Sequence, residues 1–108
     1  MTKEDLYRNV MDRYGIGNQT LMLAEETSEM VKACSKIYRS MMSMQASAFA
    51  EHFHEMKASL TEEIADTLVM IEQMMLYWDI SVADVDEVKT SKLMRLLERM
   101  AESDADHV

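Results

Sequence analysis

Two short carboxylate clusters carry the chemistry legible in this chain. Glu25 and Glu26 are followed three residues later by Glu29, and Glu62 and Glu63 are followed three residues later by Asp66. Like charges one turn apart destabilise a helix by roughly 0.2–0.5 kcal/mol per pair. Carboxylates withdrawn from water cost considerably more unless they are paired, protonated or bound to a metal. If the clusters face each other across a helix pair, a hard divalent cation resolves the conflict. Magnesium takes oxygen ligands and keeps several waters, so it suits a few carboxylates together with substrate phosphates.

The helical wheel places these acids unevenly. On the helix carrying the first cluster, Leu23, Met30, Cys34, Ile37 and Met41 form the apolar stripe. Glu26 falls about 40° from Met30, inside that arc, Glu29 lies about 100° away, and Glu25 lies further round. Cys34 within the stripe is expected to be an inert buried thiol. The second cluster lies on a helix whose main core stripe is read as Leu60, Ile64, Leu68, Ile71, Met75 and Trp78. A second stripe, Glu63, Asp66, Met70, Met74 and Tyr77, runs about 120° round from it. An ordinary surface helix has one apolar face. A helix apolar on two sides, in a chain this short, asks for more burial than one protomer supplies.

Four helices are expected to position these residues. The first spans Thr2 to Arg13, capped by Thr2, with Glu4 and Asp5 in its first turn. Tyr14 to Asn18 holds the only two glycines, Gly15 and Gly17, and is read as a break, with Asn18 capping the next helix. That helix spans Gln19 to Ser43. Gln45 to Lys57 stays open between a short helix, a loop and a continuation of the second helix; its Phe49, Phe53 and Met56 imply packing. Ser59 to Glu62 has the form of a capping box opening the third helix, Leu60 to Trp78. Ser81 caps the fourth, Val82 to Glu102, and Ser103 to Val108 is read as a frayed polar tail within a single domain.

Composition agrees with an all-α chain and excludes several functions. There is no proline, and thirteen methionines accompany few β-branched runs. A net charge of -9, from 20 acidic and 11 basic residues, repels nucleic acid polymers. A protein that holds a small polyphosphate through metal ions need not be basic. No apolar run is long enough to span a membrane, and the N-terminus has no apolar signal core. One cysteine excludes an intrachain disulfide, and a reducing cytoplasm is the simplest compartment.

The stretches Leu23 to Met30 and Glu62 to Leu68 resemble the MazG-like family of all-α nucleoside triphosphate pyrophosphatases. That family pairs Glu-x-x-Glu on one helix with Glu-x-x-Asp on the next long one, which Glu26, Glu29, Glu63 and Asp66 match. The resemblance spans roughly Leu21 to Met100. It implies a small four-helix bundle completed by oligomerisation, as a homodimer or a dimer of dimers. It implies magnesium on the four acids, with manganese as a substitute. It also implies water attack on the α-phosphate of a nucleotide, giving a monophosphate and pyrophosphate. Glu25 or Glu62 is expected to orient or deprotonate the water, although Glu62 is equally explained as the capping-box acid.

The fourth helix adds Lys92, Arg95 and Arg99, within about 60° of one another. In the family, a Lys followed seven residues later by Arg binds phosphates, which Lys92 and Arg99 match. Basic residues in late turns also complement the helix dipole, so both readings stand. Leu96 occupies a position where the family often carries Asn, and Arg95 is expected to take over some of that role. The stretch from Ser43 to Ser59 is longer than in many relatives.

Other readings compete. The related phosphoribosyl-ATP pyrophosphatases share the superfamily. A non-catalytic helical dimerisation module would explain the two apolar sides without chemistry. Glu51 and His54 form a Glu-x-x-His, as in ferritin-like di-iron bundles, but the required second motif is missing.

Overall fold

Helix formers and the near absence of breakers leave three helices: α1 over Lys3–Ser43, α2 over Ala46–Tyr77 and α3 over Val82–Asp106. The computed structural model describes residues 1–106. It divides into two compact units, Met1–Tyr77 with α1 and α2, and Trp78–Val108 with α3. No strand occurs among the described residues, and none of their helices is long and apolar enough to cross a membrane.

Thr2 opens α1 as expected. Its hydroxyl accepts from the Asp5 N–H at 3.1 Å, and the Asp5 carboxylate accepts from the Thr2 N–H at 3.1 Å. These bonds hold the Asp5 carboxyl below its usual range. The expected break is a single residue wide. Gly15 has φ 83 and ψ 156, which only glycine adopts without strain, and it divides α1 into two helical segments. A Cβ at Gly15 would meet nothing within 4 Å, so its backbone angle, not crowding, calls for glycine. Because the helix resumes at once, Asn18 does not cap it; the Asn18 amide donates to the Tyr14 carbonyl at 2.7 Å instead.

The open stretch belongs to α2. The chain turns at Met44 and Gln45, and helix then runs unbroken through residues 46–77. This overturns the capping box at Ser59 to Glu62. Those residues are helix interior, where the Thr61 hydroxyl donates to the Lys57 carbonyl at 2.8 Å. Ala46, Ala48 and Ala50 favour helix, and no residue there breaks one.

α1 and α2 form an antiparallel hairpin along a seam with steps of three and four. On α1 the seam is Gln19, Leu23, Glu26, Met30, Ala33, Ile37 and Ser40, all buried or half-buried. On α2 it is Met56, Leu60, Glu63, Thr67, Met70 and Met74, again buried or half-buried. Gln19 and Gln73 are both buried, and their side chains bond to each other at 2.8 Å. Near the chain start, Tyr7 donates to Glu72 at 2.7 Å, and Lys3 pairs with the same carboxylate at 3.1 Å. Burial, helped by this bond, pushes the Tyr7 phenol up to about 12. The bonds from Tyr7 and Lys3 hold Glu72 low.

Two expectations about the core are corrected by this seam. Of the expected core stripe, Ile64, Leu68, Ile71 and Trp78 are exposed while Leu60 and Met75 are half-buried, and Glu63, Met70 and Met74 of the second stripe lie on the seam with α1. Cys34 is exposed, since the seam runs through Ala33 and Ile37 beside it.

In the second unit, Asp79 takes a left-handed φ of 55 just after α2, a conformation Asp tolerates. Ser81 caps α3, its hydroxyl accepting from the Asp84 N–H at 3.0 Å. α3 continues to Asp106, past the expected end at Glu102, so Ser103 to Asp106 are helical and the last two residues of the expected tail lie outside the described ones. No residue of α3 is buried; Val88, Leu93, Leu96, Leu97 and Met100 are all more than half exposed.

Candidate metal centre

A helix-pair seam is where apolar side chains belong, and two of its positions are held by glutamates. Glu26 on α1 and Glu63 on α2 are both half-buried there. One turn beyond Glu63, exposed Asp66 reaches the same place. Glu26, Glu63 and Asp66 each offer a carboxylate oxygen, and these oxygens all lie within 4.8 Å of one another. Among the described residues this is the group of acids and histidines gathered closely enough to hold an ion.

Thr67 sets the approach of the two helices at this point. It is 4 % exposed, and its hydroxyl lies 2.8 Å from the Glu63 carbonyl and 3.2 Å from the Glu26 carbonyl. One proton is thus shared between its own helix and α1. The backbones that carry the two glutamates are thereby tied together. Thr67→Val keeps the shape and removes the tie; it is expected to lower stability by ~1 kcal/mol in urea unfolding. An unchanged midpoint would mean that packing alone sets the spacing.

The electrostatics are unbalanced. Glu63 is pushed above the usual carboxylate range, first by loss of water and then by the charges of Asp66, Glu26, Glu29 and Glu62. No cation pairs with Glu26, Glu63 or Asp66 among the described residues. Glu29, the fourth expected ligand, is exposed, stands outside the close group, and pairs with Lys32 at 3.3 Å. Glu25 and Glu62 are exposed flanking residues. With the capping box gone, Glu62 is an exposed residue in the interior of α2.

Lys92, Arg95 and Arg99 are exposed on α3 in the second unit, none of them in an ion pair among the described residues. His52 and His54 are exposed on α2 and belong to no such ligand group. Thr67 was missed from the sequence, although it stands one turn from both Glu63 and Met70 on the stripe that held them.

No family model, no curated protein and no solved structure matches the chain.

Proposed function

We propose that this chain is a magnesium-dependent nucleotide pyrophosphohydrolase, converting a nucleoside or deoxynucleoside triphosphate to the monophosphate and pyrophosphate. The observation that carries the reading is the meeting of Glu26, Glu63 and Asp66 in the α1–α2 seam. The donor set is all carboxylate oxygen, with Glu26 and Glu63 half-buried, Asp66 exposed and no cationic side chain paired to any of them among the described residues, which fits magnesium and equally manganese. The step from metal centre to pyrophosphatase rests on the likeness to MazG-like proteins.

In this reading Glu26, Glu63 and Asp66 would hold the ion, and Glu29 would join them once its pair with Lys32 opened. Magnesium held there would supply neutralising charge to phosphate oxygens. Glu25 or Glu62, exposed beside the ligands, orients the attacking water and accepts its proton. The bond from the α-phosphorus to the bridging oxygen breaks, and pyrophosphate leaves. Lys92, Arg95 and Arg99 bind phosphate oxygens through charge-assisted hydrogen bonds.

A homodimer, or a dimer of dimers, would cover the exposed stripe of Ile64, Leu68 and Ile71 and the apolar face of α3. A reducing cytoplasm suits the exposed thiol of Cys34.

The test is pyrophosphate release from a panel of nucleotides, phosphoribosyl-ATP included, with magnesium present. Release from any of them supports the reading, and its substrate separates the two pyrophosphatase classes. No release, with no thermal shift on adding magnesium and nucleotide, would leave the exposed apolar stripes as the surfaces of a helical interaction module.

A further inference from the structure

A second feature lies on the same seam, toward the α1–α2 turn. A cavity of about 280 Å³ opens between the two helices, lined among others by Lys36, Met44, His52, Glu55, Met56 and Ser59. Its α1 wall begins at Ala33, two turns beyond Glu26, and its α2 wall ends at Ser59, about one turn before Glu63. At 1.5 Å per residue the cavity therefore starts roughly 6–10 Å along the seam from the acids. A ribose spans that kind of gap between its 5′-phosphate and its base.

Size and chemistry narrow the occupant. Ligand pockets begin at about 300 Å³, so this one suits a single ring system better than a whole nucleotide. Met44 and Met56 supply polarizable sulfur, which packs well on aromatic faces. Lys36 and Glu55 carry opposite charges into one cavity, yet neither forms an ion pair with the other or with any described residue. An ammonium and a carboxylate left unpaired in one cavity suit a planar group with acceptors on one side and N–H donors on the other.

Guanine has that pattern with two acceptors and two N–H donors, whereas cytosine sets only its N4 amino group against N3 and O2. Guanine's O6 and N7 are adjacent acceptors that take a lysine. Its N1–H and N2 amino group are adjacent donors that suit a carboxylate. Adenine sets an amino donor beside N7 and has no N1–H. Uracil and thymine flank their one ring N–H with carbonyl oxygens, which repel a carboxylate. We infer that this cavity is a base pocket selecting guanine nucleotides, with Lys36 on O6 and N7 and Glu55 on N1–H and the N2 amino group. The inference deepens the nucleotide reading and rests on it for the phosphate end.

The experiment has two arms on the full chain. The first titrates GMP, AMP, CMP and UMP by calorimetry without magnesium. GMP is expected to bind at least about tenfold more tightly than the others, and Glu55→Gln and Lys36→Met each to remove that preference. Both side chains are exposed, so neither change should disturb the fold. The second arm measures pyrophosphate release with magnesium, where Glu55→Gln should raise KM for the guanine nucleotide about tenfold and leave kcat unchanged. Equal affinity for all four monophosphates, tighter binding of CMP, or a preference that survives both substitutions would overturn the pocket. GMP selectivity without turnover of any triphosphate would uphold the pocket and remove the hydrolase.

Discussion

Glu63→Gln is expected to reduce magnesium-dependent pyrophosphate release by about 100-fold or more, while the fold persists. Losing a group that only orients a metal ligand typically costs 10–100-fold, so losing a ligand should reach at least the upper end. The same change should make the metal-free protein more stable. The Glu63 carboxyl is raised because its charge is partly desolvated and repelled by four neighbouring carboxylates. With its folded value above the unfolded one, its contribution to stability is fully present below the unfolded value of 4.5 and is lost as pH rises through the folded value.

Metal-free wild-type protein should therefore lose part of its thermal stability as pH rises from about 4.5 toward neutrality. Glu63→Gln should remove that slope. Magnesium should raise the wild-type Tm near neutral pH and leave the variant's Tm nearly unchanged. Activity that survives in Glu63→Gln would take this residue out of the site. A variant less stable than wild type without metal would mean that Glu63 is held by an interaction other than repulsion.

Met70→Ala should be the most damaging core change, costing ~2–5 kcal/mol. Met70 is 6 % exposed at the centre of the seam, and the other buried apolar side chains described are Tyr7, Met11 and Met56. Small domains have about 5–15 kcal/mol in total, so the loss would leave much of the chain unfolded at modest temperature. Leu68→Ala, on the same helix but 52 % exposed, is the informative contrast. Its cost should grow with protein concentration if a second copy covers Leu68, because assembly then contributes to stability. Urea titrations at two concentrations would show it. Equal losses for Met70→Ala and Leu68→Ala in dilute protein would contradict the seam described above.

The seam also explains which readings of the chain succeeded. Capping chemistry is local, so Thr2 and Ser81 were legible from their neighbours alone. The break at Gly15 was legible as well, because only a glycine accepts its backbone angles. The false capping box at Ser59 to Glu62 shows the limit of such patterns. Its residues fit the motif, yet the alanine-rich stretch before them was already helical, and a helix interior needs no cap.

The opening acids divide along the same line. Their types and spacing by themselves marked a candidate metal centre, since like charges crowded on facing helices favour a cation between them. The all-helical class followed from composition and breakers alone. Which acids meet was decided only by the tertiary structure. Once residues 46–57 joined α2, the helix phase brought Met56, Glu63 and Met70 onto one seam and turned the more apolar stripe of Ile64 and Leu68 outward. Glu26, Glu63 and Asp66 came together, and Glu29 was left with Lys32. The reason is geometric: a helix's sequence sets the angles between its side chains, but the partner it packs against selects which of them face inward.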